Sequence, residues 1–345
     1  GGSFDQVLVL LNGVNITDPQ TGHHNLNIPI DLSSIQRIEV LQGPGARVYG
    51  PGAFSGAINI ITKPEAENYI KVSSKGGENG LFGGNIQGSV KSKNTATFLS
   101  YSHNQCDGYI KNTDYNITNL FLHSNLHSRI GDFSIYSGYQ VKEFGANSFY
   151  TPKYPNQFEQ TRTLISSIEY EKTWNRHKVI INSYLRKNWD RFELFRSNPA
   201  SWYTGHNYHL TTVSGGKAAY QILTQKGRTQ VGVEIRDEDI ISNRLGDTLS
   251  NPIKIKGTDS LYYIMGDSRL IYNIFADQAF YFNRISLSGG FNYSYCSSFN
   301  GNWSYGIDAS YQLFNKLKLY TSINRSFRNP TFNDLYYSGP TNSGN

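Results

Sequence analysis

The side chains of this chain that could do chemistry are spaced for binding and not for catalysis. The sequence lacks a Gly-x-Ser-x-Gly nucleophile elbow, a His-Glu-x-x-His metal motif and a paired Cys-x-x-Cys motif. The run Gly-Pro-Gly-Ala-Arg-Val-Tyr-Gly lacks the Lys-Ser/Thr pair with which a phosphate loop holds nucleotide. His123 and His127 share one strand face, but we interpret them as ordinary strand polarity and not as a haem site. We therefore expect no enzyme, no cofactor and no metal centre.

Polar side chains collect instead in a loop near the start of the chain. Residues 16–27 read Ile-Thr-Asp-Pro-Gln-Thr-Gly-His-His-Asn-Leu-Asn, and Pro19 and Gly22 interrupt any regular element. Adjacent histidines cannot share one strand face, but in a loop both can reach one ligand. A loop that is simply solvated is the alternative.

Aromatic side chains, most of them with a polar handle, collect in longer loops, which lie at residues 104–115, 142–160, 188–207 and 242–257. Such side chains suit a flat, conjugated ligand, although they also pack loop against loop. They are Tyr109, Phe149, Tyr150, Tyr154, Trp202 and Tyr203. The acidic stretch 237–239, and Asp107 with Asp114, could hold calcium, but acidic loops also serve solubility alone.

The elements between these loops alternate with a period of two residues from about residue 68 to residue 328. Val231, Val233 and Ile235, for example, oppose Glu234 and Arg236. Long loops alternate with short turns such as Gly131-Asp132 and Gln225-Lys226-Gly227, and an outer-membrane β-barrel has this asymmetry. About a dozen segments of roughly ten residues are predicted, with one face toward lipid.

Composition agrees with a large β-protein. Hydrophobic residues make up 38% of the 345 residues, yet the chain has 25 Tyr and 33 Gly. Because no apolar run approaches the roughly 20 residues that a membrane helix needs, a helical membrane protein is excluded. The net charge of +6 is scattered, so it is weak evidence for an anionic partner such as lipopolysaccharide, and we expect no nucleic acid partner. Cys106 and Cys296 have no metal spacing, and their positions give no argument for a disulfide.

Ahead of the alternating region, residues 35–63 contain two short apolar strands, at 38–41 and 57–62, separated by a glycine-rich knot. This stretch resembles the plug-domain signature of TonB-dependent outer-membrane receptors, and the similarity is nearly continuous over residues 7–63. Residues 322–337 resemble the Phe-Arg-x-Pro-Thr-x-x-Asp/Glu-Leu-Tyr word of the same family, most closely in its cobalamin-receptor branch.

The resemblance implies a mainly β fold, in which an antiparallel transmembrane β-barrel of 22 strands surrounds a small α+β plug. Residues 1–64 correspond to the C-terminal part of the plug and residues 65–345 to the first half of the barrel. Because the chain lacks a signal peptide, the family's coupling box and the barrel closure, we expect a fragment of a protein of the bacterial outer membrane.

In this family the plug loop at residues 16–27 lies where cargo, the transported molecule, rests. The resemblance and the aromatic loops together predict these cargo contacts: Asp18, Gln20, His23, His24, Asn25, Tyr150, Trp202 and Tyr203. Two residues depart from the family signature, Gln36 and Gln42, which removes one tether to the barrel. Arg37 and Glu39 remain as predicted plug–barrel contacts, or they solvate an edge.

The resemblance implies active import of a scarce nutrient, with cobalamin or a related corrinoid as cargo and iron–siderophore or haem as the alternative. Expected partners are the periplasmic TonB energy-coupling protein, the outer membrane with its lipopolysaccharide, and a surface lipoprotein lid. A passive porin or adhesin would not need the glycine-knotted plug, and a soluble carbohydrate-binding β-protein would use fewer outward aromatic residues.

Overall fold

The computed structural model describes residues 4–43, 45–62, 64 and 67–338. These residues form a four-stranded sheet near the start of the chain and a 14-stranded sheet after it. We call residues 4–62 the plug and the larger sheet the wall. The predicted domain boundary after residue 64 falls next to residues outside the described ranges, so it stays a prediction. None of the described helices has the length and apolar character needed to cross a membrane.

The plug sheet consists of four short strands. β1 (Val7–Leu11) and β2 (Val14–Asn15) form a hairpin through Asn12-Gly13, whose positive φ values of 51° and 81° match a two-residue turn. β3 (Arg37–Gln42) and β4 (Gly56–Ile61) flank the short helix α1 (Ala46–Tyr49), which confirms the predicted pair of strands around a glycine-rich knot. β4 pairs parallel with β1 and antiparallel with β3.

Three 3₁₀ helices complete the plug, at Phe4–Gln6, Gly22–His24 and Leu32–Ser34. The Asp31 side chain caps the third of these by accepting from the Ser33 amide.

The wall is a continuous antiparallel sheet whose strands pair in chain order, except that β14 pairs beside β15. Its strands are β5 (Tyr69–Gly76), β6 (Phe82–Lys91), β7 (Thr95–Cys106), β8 (Tyr115–Ser128), β9 (Gly131–Gly145), β10 (Phe158–Trp174), β11 (His177–Glu193), β12 (Asn207–Thr224), β13 (Gly227–Ser242), β14 (Asp247–Lys254), β15 (Tyr262–Phe282), β16 (Ile285–Cys296), β17 (Phe299–Phe314) and β18 (Leu317–Arg325). A short helix, α2 (Phe332–Tyr336), follows β18. Among the described residues the sheet is open between β5 and β18.

The two faces of the wall have the polarity that the alternation predicts. On β13, Val231, Val233 and Ile235 are 44–50% exposed, whereas Arg236 is 3% exposed. Apolar side chains outside and buried polar side chains inside reverse the pattern of a soluble protein. This arrangement confirms the predicted lipid-facing outer surface.

The loops confirm the predicted asymmetry with several corrections. The predicted loop 242–257 contains the strand β14 (Asp247–Lys254), and Gly227 of the predicted turn 225–227 begins β13. Long connections such as 146–157 and 194–206 lie at one end of the wall, and two-residue turns such as 175–176 lie at the other. Gly131 and Asp132 begin β9, so the turn is at 129–130, because Gly131 pairs with Ser128 as the closing residues of a tight hairpin. The acidic stretch 237–239 belongs to β13 and not to a loop, because its residues continue the pairing with β15. Strands β10–β13 have 16–18 residues, well beyond the predicted ten.

Plug and wall share one hydrophobic core. It takes six buried side chains from the plug and six from the inner face of the wall, namely Val9, Leu11, Val14, Ile16, Ile28 and Ile60, and Phe98, Phe121, Tyr136, Ile165, Tyr184 and Val213. The plug therefore packs against the inner face of the wall, where the resemblance places it.

Candidate functional site

The plug loop at residues 16–27 separates its two adjacent histidines. They lie in the 3₁₀ helix Gly22–His24, in which consecutive side chains point about 120° apart because a turn takes three residues. His23 is exposed, and His24 is 2% exposed against the wall. The turn requires glycine at position 22. The Gly22 amide donates to the Asp5 carboxylate at 2.6 Å, and a Cβ on residue 22 would collide with Asp5.

His24 meets two carboxylates of the wall. Its Nε2 lies 3.1 Å from Glu159 Oε1 on β10 and 4.0 Å from Asp190 Oδ2 on β11. Burial alone would lower the pKa of His24, but the negative charges of Asp190 and Glu159 outweigh it and raise the pKa to about 9. The two carboxylates therefore favour the protonated, charged form of His24.

Three more polar residues of the loop are bonded to their surroundings. Asp18, 4% exposed, forms a buried ion pair with Arg186 on β11, and its amide donates to Asn25 Oδ1 at 2.9 Å. Gln20 Nε2 donates to Asp190 Oδ2 at 2.8 Å. Removal of either partner of this ion pair would leave an uncompensated charge in the interior.

A second buried network lies beside the first on β13 and β15. Glu238 accepts from Arg236 Nε and from Arg269 Nε, each at 2.6 Å. Arg236 also donates to the plug carbonyls of Asn15 at 3.0 Å and Thr17 at 2.9 Å. We call these three charged residues the wall triad, and through Arg236 they hold the plug loop.

Helix α2, which packs against Arg269 of the wall triad, also binds the plug loop. Thr331 and Asp334 form a capping box, and Arg328 pairs with Asp334 at 2.8 Å. The amides of Phe332 and Asn333, which have no acceptor within the helix, donate to the carbonyls of Pro19 at 2.8 Å and Gln20 at 3.1 Å. The Arg-x-Pro-Thr-x-x-Asp word in residues 322–337 thus builds a helix end whose free amides bind the plug.

Arg47 on α1 also links the plug to the wall, through hydrogen bonds and ion pairs. Its guanidinium donates to the Gly306 carbonyl at 3.1 Å, to Ser288 Oγ at 3.2 Å and to Asp308, and its Nε lies 3.9 Å from Asp277. The predicted tethers Arg37 and Glu39 lie on the exposed strand β3 and pair with each other at 2.8 Å. Their contact with the barrel stays a prediction.

Aromatic side chains form the exposed surface above the anchored loop. The His23 ring lies 4.7 Å from the Phe4 ring, 5.7 Å from Phe149 and 5.3 Å from Tyr150. The Tyr150 hydroxyl donates to Glu159, so this surface is hydrogen-bonded to the carboxylate that contacts His24. Trp202 and Tyr203 belong to a second aromatic group, in which Trp202 is 58% exposed and lies 5.6 Å from Phe195.

The structure thus divides the predicted cargo residues. Asp18, Gln20, His24 and Asn25 are buried and bonded, whereas His23, Tyr150 and Trp202 are exposed. Cargo contact by any of them stays a prediction. Glu159, Arg186, Asp190, Glu238, Arg269 and Arg47 were not among the residues predicted for the site. For all but Arg47, which lies on α1, the signal in the sequence is a charged residue on the inward side of a strand, which period two reveals without identifying its partner.

Comparison with known proteins gives two matches to family models, which together span nearly the whole chain. The TonB-dependent receptor plug domain matches residues 1–57, and the TonB-dependent receptor-like β-barrel matches residues 68–345. The vitamin B12 transporter BtuB of Photobacterium profundum is 23% identical over 98% of this chain and 53% of its own length. BtuB of Vibrio cholerae is 40% identical over 22% of this chain. The chain spans about half the length, 53%, of the first of these relatives.

Solved structures agree at the level of the fold. The copper transporter OprC superposes with a TM-score of 0.78 at 16% identity, over 99% of this chain and 58% of that one. A mutant of the ferric enterobactin receptor PfeA from Pseudomonas aeruginosa gives 0.71 at 14% identity, over 96% and 55%. The ferric citrate transporter FecA gives 0.71 at 16% identity, over 94% and 54%. The chain belongs to the TonB-dependent receptor family, whose members are β-barrel proteins of the bacterial outer membrane.

Proposed function

We propose that this chain is part of a receptor that imports cobalamin or a related corrinoid across the outer membrane, driven by the TonB coupling protein. The observation that carries the proposal is the division of the plug loop into a bonded inner side and an exposed aromatic outer side. The inner side holds the plug in place, and the outer side, where His23 packs edge to face with Phe149 and Tyr150, offers an exposed aromatic surface for a large conjugated cargo. No covalent chemistry is required of these residues.

The choice of cobalamin is supported by the relatives named vitamin B12 transporter and by the similarity of residues 322–337 to the cobalamin branch. Iron–siderophore or haem is the second candidate, favoured by structural neighbours that are named as ferric enterobactin and ferric citrate proteins. A passive porin or adhesin is disfavoured because a diffusion channel does not need a plug bonded to its wall. Lipopolysaccharide and a surface lipoprotein lid complete the proposed partners.

Binding of cobalamin, haem and a panel of ferric siderophores to the full-length receptor tests the proposal. We expect saturable binding of cobalamin, and uptake by cells that stops when the TonB protein is deleted. Saturable binding of an iron chelate or haem alone would assign the cargo to the second candidate. Uptake that continues without TonB would instead indicate a passive channel.

Replacing His23 with alanine is expected to weaken cargo binding about fivefold or more, since aromatic contact residues at binding surfaces commonly contribute about 1–3 kcal/mol. Isothermal titration of the purified receptor measures the change. Trp174→Ala is the matched control, because Trp174 is a 42% exposed aromatic residue at the short-turn end of β10. Equal affinity in the His23 variant and the wild type would move the cargo site to other loops.

A further inference from the structure

His24, Glu159 and Asp190 bring one nitrogen and two oxygens together inside the receptor. One ligand atom from each lies within 4.8 Å of the others, and all three side chains are buried. They come from the plug, β10 and β11, so the group exists only when the plug sits against the wall. Both carboxylates face the same ring atom, Nε2 of His24, at 3.1 and 4.0 Å. A divalent ion bound about 2.0–2.2 Å from each atom fits between them after sub-ångström side-chain shifts.

Each carboxylate is positioned through its own hydrogen bond. The Tyr150 hydroxyl donates to Glu159 Oε2, which leaves Oε1 toward the ring. Gln20 Nε2 donates to Asp190 at 2.8 Å. Such outer bonds orient the ligands of a metal site and are as much a part of it as the ligands themselves.

Two further oxygens at this cluster have no hydrogen-bond partner among the described residues, Asp190 Oδ1 and Gln20 Oε1. Asp190 is 5% and Gln20 3% exposed, so bulk water does not compensate for the missing bonds. Asp190 Oδ1 shares its carbon with the oxygen that faces His24, so it lies at the edge of the same group. An unbonded carboxylate oxygen at this depth is the kind of ligand that a cation uses.

We propose that His24, Glu159 and Asp190 bind one divalent transition-metal ion of the Zn²⁺ class between plug and wall. One nitrogen and two carboxylate oxygens form a donor set that Zn²⁺ accepts, with water in the fourth position. Binding releases one proton from His24 Nε2 to water, because the ring must be neutral to donate its lone pair. The ion then joins the plug loop to two wall strands.

Metal analysis of the full-length receptor tests this site. The detergent-purified protein is stripped with a chelator, dialysed against Zn²⁺, and analysed by mass spectrometry for zinc and by anomalous diffraction at the zinc edge. We expect about one ion per chain, with an anomalous peak in bonding contact with His24 Nε2. His24→Gln and Asp190→Asn should each lower the affinity for Zn²⁺ at least about tenfold.

His23→Gln is the matched control, since it removes the neighbouring histidine from the same helical turn but leaves the three ligands in place. It should keep the zinc while weakening cargo binding, which separates this site from the proposed cargo surface. Heat-modifiable mobility checks that each variant is folded, and Asp190→Asn keeps the shape of the side chain should His24→Gln fail this check. Zinc at background level, a peak elsewhere, or unchanged affinity in folded Asp190→Asn would leave His24 as a protonated ion-pair partner only and overturn the proposal.

Discussion

Replacing Glu238 with glutamine is expected to lower the free energy of unfolding of the receptor by about 3–5 kcal/mol. Glu238 is 5% exposed and neutralises Arg236 and Arg269, which are 3% and 4% exposed. Glutamine keeps the size of the side chain but leaves two buried guanidinium groups without a counter-charge. Urea titration of the receptor in lipid vesicles measures the loss.

The variant should also loosen the plug, because Arg236 holds the carbonyls of Asn15 and Thr17. Hydrogen exchange of the plug amides near these residues is expected to accelerate. Glu171→Gln provides the control, since Glu171 pairs with Lys178 where both side chains are about one-third exposed, at 34% and 27%. Such a pair contributes at most about 1 kcal/mol. Similar losses in the two variants would contradict the role given to the wall triad.

Replacing Phe332 with alanine is expected to cost about 3–5 kcal/mol and to release α2 from the plug loop. The Phe332 side chain is fully buried against Ile240 and Leu245, and the Arg269 guanidinium lies 4.8 Å from its ring centre. Because the ring positions the backbone amides of α2, its loss should break their bonds to Pro19 and Gln20. Hydrogen exchange of a peptide that covers residues 330–337 reports the release.

Phe332→Leu separates the loss of buried volume from the loss of the aromatic ring in this experiment. Leucine restores most of the buried volume, so the loss of stability should fall below about 1.5 kcal/mol and the amides should stay protected. Protected amides in the alanine variant would mean that the capping box of Thr331 and Asp334 holds α2 without the ring.

The fold could be predicted because its determinants are local. Period-two alternation distinguishes the inward from the outward side of each strand, and Asn12-Gly13 specifies a hairpin turn. The glycine-rich knot between β3 and β4 is likewise written in one continuous stretch. The predicted strand length of about ten residues is too short for β10–β13. These strands have 16–18 residues and so extend beyond the roughly ten that cross a bilayer.

The site could be predicted only in part because its contacts join distant parts of the chain. His24 meets Glu159 and Asp190 across 135 and 166 positions, and sequence spacing carries no information about such a meeting. The register of the strands determines which side chains face His24, since a shift of one residue would turn Glu159 toward the lipid. Nothing in the sequence marks Arg47 as a plug–wall contact, because a lone arginine in a glycine-rich turn has no partner nearby in sequence. Its partners lie on β15, β16 and β17.

The core that plug and wall have in common makes neither part self-sufficient. Were residues 4–62 separated from the sheet, six apolar side chains would lose the six wall side chains that cover them. The same holds for the six wall side chains, which face the plug and not the lipid. Both sets therefore remain exposed to water until plug and wall meet, so the final packing of either surface depends on the other.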